Sequence, residues 1–294
     1  MLQNKSTPLK NKQLTNLTKI VEMKRALLFC MFISILFVAK TQEYVTKENI
    51  NYYSDSICKS NNYIKSKCVL DLYYPTGNKN FGTIIWFHGG SLTMGKKEIP
   101  EALRNHGYAI IGVDYRLSPK VNAPAYIEDA AAATAWVFNH IKEFGGNPNK
   151  IFISGHSAGG YLALMITLDK SYLNKYQIDA NKIAGIIPLS GQAITHFTIR
   201  KENGIKATQP IIDKYAPLYF VRADAPPMLL ITGDREMELY GRYEENAYLS
   251  RMMKLAGHQK TTLYELQGYD HGMTIPAYPL LWKFVQNTSK QLIE

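Results

Sequence analysis

Short apolar runs alternate with helical patterns along most of this chain. Thr83–Phe87, Tyr108–Val113, Ile183–Leu189 and Met228–Thr232 are nearly continuous in apolar residues. Strands buried on both faces read this way. Cys68–Tyr74 alternates apolar and polar positions and ends at Pro75-Thr76-Gly77, a strand followed by a turn. Thr261–Leu266 reads as the last strand. Between the strands lie helix patterns at Tyr126–Phe144, stopped by Gly145-Gly146-Asn147-Pro148, and at Tyr243–Leu255, closed by Gly257. Leu280–Leu292 reads as the last helix and Glu98–His106 as a short one. Tyr44–Ser66 is polar and reads as an N-terminal arm. Buried strands alternating with helices predict an α/β fold, with a mainly parallel central sheet and helices on both faces. Gln192–Ala225 is irregular and broken by Gly204, Pro210 and Pro217. That is long for a plain connection, so it is a candidate short cap over a site.

The segment Ile151–Leu168 changes period in its middle. It begins as a buried strand, and from Gly160 its apolar residues take helical spacing. At the change stands Gly155-His156-Ser157-Ala158-Gly159, a Gly-x-Ser-x-Gly pattern. A serine on so sharp a strand-to-helix turn is held in a strained conformation, and strand and helix pass too close for side chains two positions either side. A serine hydroxyl is a weak nucleophile at neutral pH. It needs a base, and a histidine base needs a carboxylate to hold its tautomer.

Seven histidines are available. His106, His140 and His258 lie in or just beyond helices and read as surface or capping groups. His196 falls in the candidate cap, as a binding residue at most. His156 flanks Ser157, with its side chain expected to point elsewhere. His88 ends a strand and opens a glycine-rich loop. His271 follows the strand Thr261–Leu266 through a compact loop, at the end of the sheet where reactive groups gather. It is the candidate general base. The loop after Met228–Thr232, Gly233-Asp234-Arg235-Glu236-Met237-Glu238, offers three acids, and spacing alone does not choose among them. Asp270 reads as a turn former. The loop His88-Gly89-Gly90-Ser91 offers backbone donors at Gly90 and Ser91 for a developing oxyanion, joined by the Ala158 N–H.

Composition adds a leader. Lys24-Arg25 precedes an uncharged run from Ala26 to Ala39, shorter than the roughly 20 residues of a spanning helix. This reads as a signal peptide with translation starting at Met23 and cleavage near Thr41, which makes the protein secreted or periplasmic and leaves no stable membrane span; an uncleaved membrane anchor is the competing reading. Residues 1–41 carry seven basic residues against Glu22, so this segment holds +6 of the formal +10. No arginine-rich stripe or nucleic-acid motif accompanies the charge, and no nucleic-acid partner is expected. Residues 42–294 read as one domain. Cys58 and Cys68 are the cysteines beyond the leader, free to form a disulfide or to stay as small buried side chains. No Cys/His spacing points to a metal, and the chemistry requires no cofactor.

The motifs His88-Gly-Gly-Ser-Leu-Thr-Met-Gly95, Asp114-Tyr-Arg-Leu-Ser-Pro119, Glu128-Asp129, Gly155-His-Ser-Ala-Gly-Gly160, Ile231-Thr-Gly-Asp-Arg-Glu236 and His271-Gly272 resemble the α/β-hydrolase superfamily. The nearest likeness is to secreted bacterial carboxylesterases of the hormone-sensitive-lipase and feruloyl/acetyl-xylan-esterase-like groups. The resemblance runs from about Leu70 to Phe284. It implies the α/β-hydrolase fold and hydrolysis of small or short-chain acyl esters through an acyl-enzyme, with acetyl or feruloyl esters of carbohydrate among the substrates. It also implies the acid: the third residue after the loop glycine, here Glu236, with Asp234 in reserve. Ser91 stands where many relatives have a third glycine. Asp114–Pro119 and Glu128-Asp129 are expected to be structural. An amidase or peptidase using the same residues, or a binding protein that keeps only the scaffold, are the competing readings.

Overall fold

The computed structural model describes residues 19–25, which are helical, and residues 42–292. The apolar run 26–39 and the expected cleavage position lie outside the described residues. Among the described residues no helix is long and apolar enough to cross a membrane.

From Gln42 onward the chain forms one unit around an eight-stranded sheet. The strands are β1 (Tyr44–Asn51), β2 (Val69–Pro75), β3 (Phe81–Phe87), β4 (Ala109–Val113), β5 (Gly146–His156), β6 (Gly185–Leu189), β7 (Met228–Gly233) and β8 (Thr261–Leu266). Their order across the sheet is β1-β2-β4-β3-β5-β6-β7-β8. β1 and β2 pair antiparallel, as do β2 and β4, and every other pair is parallel. β3, β4, β6 and β7 are buried at every residue, which is why they read as unbroken apolar runs.

The helices are α1 (Asp55–Ser60), α2 (Asn62–Lys67), α3 (Ala125–His140), α4 (Ala158–Leu168), α5 (Lys170–Asn174), α6 (Phe197–Glu202), α7 (Arg242–Leu255) and α8 (Thr274–Gln291). One apolar cluster packs α3, α4 and α7 on the first face of the sheet, and a second packs α8 on the other. α4 is buried at all eleven positions, so its apolar character runs all round the helix. This is the α/β-hydrolase fold expected from the sequence.

Three elements differ from the sequence reading. Glu98–His106 forms only the 3₁₀ turn Glu101–Leu103, because Pro100 precedes it and Asn105 takes a positive φ. The polar arm holds edge strand β1 and two short helices. An outermost strand faces solvent, so it lacks the apolar signature of the others. α8 starts at Thr274 rather than Leu280. Pro276 falls in the first turn, where a helix has no use for its N–H, so the proline marks a start and not a break. Cys58 and Cys68 are both free and buried.

The parallel register lines up the carboxyl ends. Phe87 pairs with Gly155, His156 with Leu189, and Gly233 with Leu266. The loops carrying His88–Ser91, Ser157, Ser190, Asp234–Glu238 and His271 therefore leave the sheet at one end.

Candidate active site

Ser157 stands at the break between β5 and α4 with φ 55° and ψ −114°. Its N–H donates to the Leu189 carbonyl at 2.8 Å, which fixes the turn to the neighbouring strand. The flanking glycines are required by contact. A Cβ on Gly155 would lie 2.6 Å from the Phe87 oxygen, and one on Gly159 only 1.9 Å from it. The turn therefore presses directly on the end of β3, and only hydrogen fits at both positions.

His271 Nε2 lies 2.9 Å from Ser157 Oγ, and its Nδ1 lies 2.8 Å from a carboxylate oxygen of Glu238. Glu238 also accepts from the Gly233 N–H at 2.8 Å, the Leu239 N–H at 3.1 Å and the Ser190 hydroxyl. Burial pushes the Glu238 carboxyl up, but hydrogen bonds from His271, Ser190 and Gly233 outweigh it and hold the group down at about 2. An ionised carboxylate only accepts, so His271 Nδ1 carries the proton and Nε2 faces the serine as an acceptor.

The acid thus differs from the residue implied by the resemblance. Glu236 is exposed and Asp234 is occupied elsewhere. Asp234 accepts from the Glu236 N–H at 3.0 Å and the Gly268 N–H at 2.8 Å, tying its turn to the loop that leads to His271. The physical reason is the turn itself. The Asp234 carbonyl accepts from both Met237 N and Glu238 N at 2.9 Å, so the chain makes one helical turn after the strand. Residue 238, four positions on, returns over the strand end, while residue 236 swings to solvent. The Glu238 side chain is only 1% exposed as a result.

The loop after β3 runs beside the serine: a Cβ on Gly89 would lie 3.6 Å from Ser157 Cβ. Gly90, Ser91 and Leu92 all have positive φ, which curls the loop. The N–H groups of Gly90, Ser91 and Ala158 take part in no hydrogen bond among the described residues. The candidate cap reaches this loop, since Thr198 Oγ1 on α6 donates to the Ser91 carbonyl at 2.5 Å. Gln192–Ala225 is thereby folded against the site.

The other histidines sort themselves by partner. His156 was expected to point away from the site; instead its Nε2 donates to the His271 carbonyl at 2.7 Å and braces the base from below. Burial, with help from the neighbouring His271, pushes the His156 ring down to about 4, so it is neutral at pH 7. Adjacency to Ser157 was the only signal of this role in the sequence. His258 is buried, bonded to Thr261 and the Ala225 carbonyl, and is not the surface group expected. His196 is buried and caps α6. Asp129 pairs with Arg116 at 2.7 Å, and Asp114 accepts from Lys67 and the Lys97 N–H, so both acids hold loops beneath the site. Asp270 accepts from the Gly272 N–H, as a turn former does. Among the described residues no group of three acid, histidine or cysteine side chains is placed to hold a metal ion.

A cavity of about 630 Å³ opens beside Gly89, His156 and Gly272. Its walls include Trp86, Tyr278, Glu98 and Glu101, and the Trp86 indole N–H donates to Glu98 at 3.2 Å.

Comparison with known proteins agrees with this architecture. The chain is similar to a carboxylic ester hydrolase, LipN, of Mycobacterium tuberculosis, 36% identical over 100 residues that cover 32% of this chain and 27% of the relative. It is also similar to a probable carboxylic ester hydrolase, LipM, of the same organism, 27% identical over 169 residues covering 49% and 39%. The matched region thus spans well under half the length of these curated relatives. Among solved structures, a truncated carbohydrate esterase from gut microbiota superposes with a TM-score of 0.67 at 21% identity, covering 86% of this chain and 99% of that one. Esterase B of Lactobacillus rhamnosis superposes with a TM-score of 0.66 at 17% identity, covering 96% and 98%. The BD-FAE family model matches residues 70–240, more than half of the sequence and most of the sheet. The chain belongs to the BD-FAE family and has the α/β-hydrolase fold.

Proposed function

We propose that this protein is a serine carboxylester hydrolase. One observation carries the reading: Ser157, His271 and Glu238 form a continuous hydrogen-bonded line next to a loop with unoccupied backbone donors. In this scheme Ser157 Oγ attacks the acyl carbonyl while His271 Nε2 takes its proton. Glu238 holds the imidazole tautomer and steadies its positive charge. The N–H groups of Gly90, Ser91 and Ala158 receive the oxyanion. His271 then passes the proton to the leaving alcohol, and water releases the acid from the acyl-enzyme by the same steps. Names of the relatives support ester hydrolysis as the reaction class.

The substrate is read as a small or short-chain acyl ester, with a carbohydrate-linked alcohol favoured. Support comes from the cavity beside His156 and Gly272, whose Tyr278 ring can face a sugar ring and whose exposed Glu98 and Glu101 can accept from its hydroxyls. The basic pair Lys24-Arg25 before an apolar run supports export. The test is hydrolysis of short-chain nitrophenyl esters and of acetylated xylan by the native protein and by Ser157→Ala. The expected outcome is turnover by the native protein and a loss of about 10⁵-fold or more in the variant. Equal rates would refute the reading.

A further inference from the structure

A second cavity, of about 500 Å³, lies between the segment after α6 and the start of α7. It shares no lining residue with the cavity beside His156 and Gly272. Its size is in the range of small-molecule sites. Three large side chains that are exposed at the protein surface converge on it: Ile212 at 48%, Tyr240 at 56% and Tyr248 at 51%. Convergence of exposed apolar groups on one concave site marks a place where something binds.

Arg200, on α6, lines the same cavity and is only 2% exposed. Its Nη1 donates to the Gln209 carbonyl, and its Nε is buried without a partner. The arginines that form ion pairs among the described residues are Arg116, Arg222 and Arg235, and Arg200 is not one of them. Glu245 also lines the cavity, but it already accepts from Gln192 Nε2 and from the N–H groups of Ala193 and Ile194. Its single charge is also shared with Arg242, which is fully buried and has two unpartnered nitrogens of its own. Glu244 sits exposed at the rim, where water screens it. A buried guanidinium without a carboxylate is costly, and with Nη1 on Gln209 and Nε sealed from solvent, Nη2 is the nitrogen left to donate a charge-assisted bond to an anion.

We propose that this cavity binds a small organic carboxylate with an apolar or aromatic body, the carboxylate on Arg200 and the body against Ile212, Tyr240 and Tyr248. The proposal stands apart from the reaction assigned to Ser157. Its test is isothermal titration of the full chain with 3-phenylpropionate and with 3-phenylpropionamide, which has the same shape without the charge. The acid is expected to bind at least about tenfold more tightly than the amide, because only it completes the charge-assisted pair. Arg200→Met should erase that preference. Tyr248→Ala, on an exposed wall, should weaken the acid about tenfold, and it keeps the test decisive if the Arg200 variant does not fold. Ser157→Ala should bind the acid as the native protein does. Equal affinity for acid and amide, no binding of the acid, an undiminished preference in folded Arg200→Met, unchanged binding in Tyr248→Ala, or loss of binding in Ser157→Ala would each overturn the proposal.

Discussion

Glu238 and His156 both titrate well below the free side chain, Glu238 because hydrogen bonds led by that from His271 outweigh its burial, and His156 chiefly because it is buried. Glu238 is held at about 2 from an ordinary 4.5, and His156 is pushed to about 4 from an ordinary 6.5. Each folded value lies below the unfolded one, so the unfolded chain binds more protons between the two values. Stability from His156 is complete above pH 6.5 and is lost as pH falls toward 4. Stability from Glu238 is complete above 4.5 and is lost toward 2. Denaturant unfolding of the native protein should therefore weaken steadily from pH 7 to pH 4. His156→Gln keeps an N–H donor but does not titrate, and should flatten the slope between pH 6.5 and 4. Identical slopes in the two proteins would contradict the role given to His156. At this scale the sequence showed Ser157 and His271 because each stands in a compact, glycine-bearing loop at the carboxyl end of a predicted strand. Glu238 was hidden because the choice among three acids depends on how many residues the turn consumes. A carboxylate two positions off, at Glu236, looks equivalent until the backbone hydrogen bonds from Met237 and Glu238 to Asp234 are seen.

Contacts between elements explain why the nucleophile turn has no slack. α4 begins against the end of β3, with Gly159 nearly touching the Phe87 carbonyl. Gly159→Ala would force helix and strand apart and disturb both Ser157 and the loop after β3. A loss of more than about 3 kcal/mol, or failure to fold, is expected from equilibrium unfolding. A variant within about 1 kcal/mol of the native protein would show that the contact yields easily. Elements buried on both sides were legible because apolar period and burial coincide there. β1 and the 3₁₀ turn Glu101–Leu103 were not, since an edge strand and a single turn bury too little to imprint a pattern. The cap segment was visible only as an absence of pattern; it docks through buried side chains such as Ile199 and Leu218 together with polar contacts such as Thr198 to Ser91.

For the whole molecule, the sheet does the placing. Parallel register brings the ends of β3, β5, β6, β7 and β8 to one edge, so residues as far apart in sequence as Ser157 and His271 meet at 2.9 Å. Layers of helix on both faces hold that edge rigid, and Ser190, between β6 and the cap, joins the acid to the rest. The claim on which the account depends is that this edge assembles a working Ser157–His271–Glu238 line. The direct measurement is kcat/KM for a short-chain nitrophenyl ester with the native protein, Glu238→Gln and Glu236→Gln. Glu238→Gln should lose about 10³- to 10⁴-fold, because the amide no longer fixes the His271 tautomer, and Glu236→Gln should stay within about twofold. A large loss in Glu236→Gln with Glu238→Gln near native activity would contradict the account.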